Sequence, residues 1–261
     1  MRSCRRAIPA LFFALAAACQ APGGAKQTAR AADEWVHTYP LTAAGELQIT
    51  NTNGAIDIEG TAASRVEIRA ERIAHATTDA AARDLLTHIN IRGETASGNV
   101  TIQTERISGV MIGASVEVIY HVRAPASATI RARTANGQVT VTATTGRVIV
   151  SAVNGDIVGH SLAGSIDLRT VNKSVTIDVA KVGSDPIDLR ATNGTIQLGL
   201  PADTNANLSA MCSNGTIEVT GLAFQTLGEQ TRRRVRGRIN AGGTPIELTA
   251  NNGNIRVHER R

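Results

Sequence analysis

The densest charge in the sequence is the run Arg232-Arg233-Arg234-Val235-Arg236-Gly237-Arg238-Ile239. Read with the period of a strand, Arg234, Arg236 and Arg238 share one face while Val235 and Ile239 share the other. Guanidinium groups two residues apart on a strand stand roughly 6.5–7 Å apart. At that spacing successive phosphates or carboxylates of an envelope glycolipid, an anionic polymer or an acidic partner protein can take forked hydrogen bonds. The competing reading is an edge strand kept soluble by its charge. Arg256, Arg260 and Arg261 follow close to the same region.

A second constellation depends on the spacing of the chain. If one turn of the fold takes eighteen residues, Thr142, His160 and Asp178 fall in one column, with rungs about 4.8 Å apart. Ser151 and Arg169 fall in the matching column of the opposite sheet. A histidine beside a carboxylate is an acid–base pair, and it is also an ordinary member of a solvated polar ladder. His37, His75, His88, His121 and His258 are scattered without metal-ligand spacing, so no metal and no cofactor are expected. Calcium-binding nonapeptides need Gly-Gly-x-Gly-x-Asp, which no phrase here supplies. Glycan cleavage needs paired carboxylates and usually aromatic platforms. No outward column is expected to hold carboxylates on neighbouring rungs, and only 2% of residues are aromatic.

Of the three cysteines, Cys4 and Cys19 lie in the N-terminal segment. Cys212 follows Leu208 and Ala210 in inward register, as a small hydrophobe without a disulfide partner. The formal charge is +5, from 27 Lys and Arg against 22 Asp and Glu. Without Arg2, Arg5 and Arg6, 24 bases face 22 acids, too even a balance to argue for nucleic acid, and no nucleic-acid motif is present.

The frame that must position these groups is a nine-residue phrase repeated five times over residues 136–180: NGQVTVTAT, TGRVIVSAV, NGDIVGHSL, AGSIDLRTV, NKSVTIDVA. Each opens on a turn pair and then places aliphatic residues two apart, the pattern of a half-buried strand. One phrase cannot bury its own apolar face, so neighbours must stack. The third and fifth places (Val139 and Val141, Val148 and Val150, and so on) point inward. The turn pairs Asn136-Gly137 and Asn154-Gly155 recur as Asn193-Gly194, Asn214-Gly215 and Asn252-Gly253, suited to tight corners and to asparagine hydrogen bonds along the stack axis. The expected fold is all-β: a right-handed β-solenoid, or β-helix-like stack, two-sheeted, with about nine residues per strand. Asn53-Gly54 opens an isolated early phrase, and Ala82, Leu85, Leu86 and Ile89 form the stripe of one short helix, capped by Thr77 or Thr78, that would close an end of the stack.

Residues 1–18 read as an export signal: a basic start, an apolar run too short to span a bilayer, and small residues before Cys19. Leu15-Ala16-Ala17-Ala18-Cys19 resembles the lipobox of bacterial lipoproteins, which implies lipidation at Cys19 and, with Gln20 next, an outer-membrane address. Residues 19–32 then form the lipidated end and a flexible tether, and residues 33–261 a single strand-repeat domain. The order strand, helix, hairpin, with VEVIYHVRAPASATIRARTANGQVTV and the Asn-Gly phrases, resembles the bacterial "putative adhesin" family of β-strand-repeat domains over roughly Leu47 to Val257. That resemblance implies a β-helix-like fold in exported or membrane-attached proteins and carries no catalytic motif. The expected function is a non-enzymatic envelope lipoprotein presenting a rigid surface to a partner protein or anionic envelope polymer. The alternatives are a glycan-active β-helix enzyme and a sensor component of envelope-stress signalling.

Overall fold

A computed structural model describes residues 27–105 and 113–260. The signal segment, Cys19 and most of the tether lie outside the described residues. The chain forms β1 (Ala29–Pro40), β2 (Glu46–Asn53), β3 (Ile56–Thr61), β4 (Arg65–Ala76), α1 (Asp79–Thr87), β5 (Ile91–Ala96), β6 (Asn99–Thr104), β7 (Ser115–Pro125), β8 (Thr129–Asn136), β9 (Val139–Thr142) and β10 (Val148–Asn154). It continues with β11 (Ile157–Ala163), β12 (Ile166–Thr170), β13 (Val175–Lys181), β14 (Ile187–Asn193), β15 (Ile196–Leu200), β16 (Ala206–Asn214), β17 (Ile217–Thr220), β18 (Phe224–Thr226), β19 (Arg234–Ile239), β20 (Thr244–Asn252) and β21 (Ile255–Glu259).

Successive phrases of the repeat alternate between two facing sheets, so each rung is one strand from either side joined by a corner. The first sheet runs β1-β4-β7-β3-β9-β11-β13-β15-β21-β17, and the second β18-β19-β16-β20-β14-β12-β10-β8-β2-β6-β5. Strands one turn apart pair in parallel with an offset of eighteen residues in the regular zone: Val139 with Ile157 and Val175 on one side, Val148 with Ile166 on the other. The two aliphatic columns of each sheet meet between them, and Val139, Ile157, Val175, Val148 and Ile166 are almost wholly withdrawn from water. Gly159 breaks one column, and the side chains of Leu162 and Ile177 close over it, where a β-bulge after Gly159 brings Leu162 inward.

The corners are held by asparagine. From Asn136, Asn154, Asn172, Asn193, Asn252 and Asn214, each side-chain amide donates to the Oδ1 of an asparagine on the adjoining rung at 2.7–3.0 Å. Asn53 ends the series by donating to the Val116 carbonyl at 3.3 Å. At most of these corners the next residue passes so close to the neighbouring rung that a Cβ on Gly155 would overlap the Gly137 carbonyl, and one on Gly194 the Lys173 carbonyl, Lys173 itself being the exception that carries a side chain. Close approach thus explains glycine at these two positions. Positive φ is the added reason at Gly54 and Gly137.

The rungs do not stack in chain order at either end. Asn193 pairs with Asn252, and Asn252 with Asn214, so the rung β20–β21 lies between β14–β15 and β16–β17. The rung β2–β3 is likewise inserted between β8–β9 and the strands β6 and β7. The even 21-residue steps from Asn172 to Asn193 to Asn214 suggest sequential stacking, and this insertion corrects that expectation. Strand β1 starts at Ala29, inside the stretch read as tether, because Ala29–Ala32 pair with Ile73–Ala76 of β4. The Thr78 hydroxyl caps α1 by accepting from the Ala81 amide. Ala82 packs on Ala29 and Ala76, while Leu85 and Leu86 lie against the main core. Among the described residues no helix is long and apolar enough to cross a membrane.

Under the first corner sits a buried polar network. Asn51 donates to the Val118 carbonyl at 2.7 Å and accepts from the Thr104 hydroxyl, which is itself 2.7 Å from the Tyr120 hydroxyl. Burial pushes the Tyr120 phenol up to about 12, the Thr104 hydrogen bond offsetting part of the shift.

Two predictions follow from these contacts. Gly155→Ala should lower stability by about 2 kcal/mol or more, Asn154→Ala by about 1–3 kcal/mol, and the control Gly183→Ala, where nothing lies within 4 Å, by far less. Equal melting temperatures for the three would show that rung spacing is not set at these corners. The unfolded phenol ionises near 10, the folded one near 12. Between these values the unfolded chain has released a proton that the fold retains, so stability is intact below about pH 10 and falls, on the order of 2 kcal/mol, towards pH 12. Denaturant titrations across that window should show the decline in the wild type and a flatter profile in Tyr120→Phe.

Candidate functional site

Because strands alternate in and out, every outward residue belongs to a row running across the rungs. On the second sheet one such row reads Thr50, Arg133, Ser151, Arg169, Arg190, Thr249, Met211, Arg234. The row beside it reads Gln48, Arg131, Ile149, Asp167, Asp188, Glu247, Ser209, Arg236. The run picked out in the sequence thus stands at the far end of both rows. On β19, Arg234, Arg236 and Arg238 are exposed while Val235 and Ile239 are buried, as the alternation predicts. Among the described residues no carboxylate pairs with these three, and the Arg234 guanidinium lies 3.8 Å from the Met211 sulfur.

The second row corrects the expectation that carboxylates do not gather on neighbouring rungs: Asp167, Asp188 and Glu247 are consecutive. Asp167 and Asp188 face each other across a step of 21 residues, where the regular offset is eighteen, and Glu247 joins them only through the inserted rung. Asp167 takes two hydrogen bonds from Arg169, at 3.0 and 3.1 Å, and Asp188 two from Arg190, at 2.9 and 2.6 Å. The Asp188 bond and charge hold the Arg190 guanidinium above its ordinary value. Arg131 is likewise paired, to Glu46 at 2.9 Å. These carboxylates therefore serve as counter-ions within the sheet.

On the first sheet His160 Nδ1 lies 3.8 Å from Asp178 Oδ2, both groups partly exposed. The column continues through Gly199 to His258 and Thr220. Gly199 has no side chain, and the Asp178 carboxylate and His258 imidazole lean over the gap. Beside it Arg260 reaches the Ser161 hydroxyl at 3.3 Å and the Val179 carbonyl at 3.5 Å. His258, which looks isolated in the sequence, joins this cluster through the same insertion of β21. Among the described residues no three His, Cys, Asp or Glu side chains gather as a metal ion would require. Cys212 is buried, and burial pushes its thiol up, the Arg233 charge offsetting part of the shift. That is a poor setting for a nucleophile.

This stack has a solved counterpart. A "putative cell adhesion protein" from Clostridium sporogenes superimposes with a TM-score of 0.55 at 10% identity, over 88% of this chain and 100% of that one. At that identity the likeness is one of fold, and it fits the strand-repeat resemblance read from the sequence. A "putative adhesin" from Bacteroides fragilis aligns at 9% identity over 87% of this chain and 97% of its own, with a TM-score of 0.25, too low to argue from. No family model and no curated protein matches the sequence.

The His160–Asp178 contact, 3.8 Å long between partly exposed groups, is worth at most about 1 kcal/mol. Thermal unfolding of His160→Ala and Asp178→Ala should therefore stay within about 1 kcal/mol of the wild type. A larger loss in either would show that the cluster over Gly199 is structural rather than a solvated ladder.

Proposed function

We infer that this chain is a non-enzymatic, adhesin-like module of the bacterial cell envelope, exported and held by a lipid on Cys19. Its rigid second sheet binds an anionic polymer or glycolipid of the envelope, or an acidic partner protein. The observation that carries this reading is the set of exposed arginines near the end of the second sheet, Arg234, Arg236 and Arg238, which have no carboxylate partner among the described residues. Other arginines of the same face, such as Arg131, Arg169 and Arg190, are committed to neighbouring acids. A stack that repeats at strand spacing holds such charges in fixed register, so a repeating polyanion meets them without the entropy cost of ordering loops. The adhesion name attached to the similar Clostridium sporogenes structure supports the same reading. The export signal and the lipobox-like segment before Cys19 supply the location, on the outer membrane facing the periplasm or the cell surface.

Retention of the purified chain on isolated envelope material, measured against salt, tests this. Replacing Arg234, Arg236 and Arg238 together by alanine should weaken retention by about tenfold or more and make it less sensitive to salt. Retention and salt response equal to the wild type would remove the stripe as the binding element.

A further inference from the structure

The two rows on the second sheet are interrupted at one strand. On β10, Ser151 stands where β8, β12 and β14 carry Arg133, Arg169 and Arg190. In the adjacent row Ile149 stands where β12 and β14 carry Asp167 and Asp188. On β12 and β14 the pairing acid stands two residues before the arginine on the same strand; on β8 that place is Arg131, itself held by Glu46, and the facing Ile149 of β10 offers no acid either, so among the described residues the Arg133 side chain makes neither an ion pair nor a hydrogen bond. The Ser151 hydroxyl is also without a partner there. Beyond Ser151, towards the asparagine corner, Val153 and Val171 are 44% and 40% exposed, large aliphatic side chains turned to water on neighbouring rungs. Between the arginines and these valines runs a shallow groove of about 580 Å³, bounded by Arg133, Arg169 and Arg190 on one side and by Ala135, Val153 and Val171 on the other.

We propose that this groove binds an anionic single-chain lipid, its phosphate head seated over Ser151 between Arg133 and Arg169 and its aliphatic chain lying along Val153 and Val171. Arg133 and Arg169 are two rungs apart, roughly 9.6 Å between backbones; Arg133 can fork onto an anion over Ser151, while Arg169 keeps Nε and Nη2 on Asp167 and adds its Nη1 group from the opposite side. The Ser151 hydroxyl donates from below. Ile149 in place of a carboxylate removes the repulsion that Asp167 and Asp188 would exert one or two rungs further on. The valine wall discriminates against a bare anion, because each methylene buried against it adds to the affinity of an alkyl chain. A sugar would look for aromatic faces, and none lines this groove. The site uses residues separate from Arg234, Arg236 and Arg238, so it stands or falls independently of the polyanion reading.

Calorimetric titration of dodecyl phosphate, below its micelle concentration, into the full chain carrying Cys19→Ala tests the proposal, the substitution ensuring that no attached lipid competes. Dodecyl phosphate should bind at least about tenfold more tightly than inorganic phosphate. Arg133→Ala and Val153→Asp, both surface changes, should each weaken it by about tenfold or more. Alanine at Arg234, Arg236 and Arg238 should leave it unchanged. Equal affinity for inorganic phosphate would reduce the site to a bare cationic patch and overturn the proposal. So would equal affinity for neutral dodecyl maltoside, wild-type binding by both groove variants, or a loss confined to the Arg234, Arg236 and Arg238 variant.

Discussion

The fold depends on how closely two rungs can approach at one corner. Six asparagine-to-asparagine hydrogen bonds join seven rungs in a single direction, and every asparagine between the two ends of the series both donates to one neighbour and accepts from the other. At all of these corners but that of Asn172, which Lys173 follows, the backbone after the asparagine comes so close to the next rung that only glycine fits. That is why Gly155 and Gly194 are glycine. With the corner fixed, the parallel ladders and the four aliphatic columns take their register from it, and a slip of one residue would turn every inward valine to solvent.

The same constraint makes the surface a lattice. Outward side chains fall into rows whose spacing is set by the ladder and whose composition is set strand by strand, so charge can be varied locally without disturbing the core. The paired arginines and aspartates of β12 and β14 leave that part of the sheet nearly neutral. The arginines of β19 and Arg133 of β8 are left without acids. Uncompensated positive charge thus collects, among the described residues, on β19 and beside the strand that carries Ser151 and Ile149.

How much of this was legible depends on the distance along the chain. Between Asn136 and Ala180 neighbouring rungs are eighteen residues apart, so inward columns, alternating sheets and the nearness of His160 to Asp178 can all be counted off directly. The inward Cys212, the outward Arg234, Arg236 and Arg238, and α1 with its Thr78 cap follow from local periodicity and capping chemistry. The addition of Glu247 to Asp167 and Asp188 and the approach of His258 to Asp178 do not, because β20 and β21 pair with strands 59 residues away. Nothing local distinguishes the Asn252-Gly253 phrase from one that would simply continue the stack. Gly199 carries its information in what it lacks, and that becomes visible only when Asp178 and His258 are seen leaning over it.

The inserted rung also bears on the order in which the molecule can assemble. As the chain is synthesised, the rung β16–β17 appears before its inner neighbour β20–β21 exists, and its parallel ladder has nothing to pair with. The regular rungs from β8 to β15 can grow one on another, but the far end stays open until residues 244–259 arrive and slide into place between strands already made. A solenoid of this kind forfeits the freedom to fold by simple addition from one end. Its closing step waits for β20 and β21, which join β14 and β15 to β16 and β17.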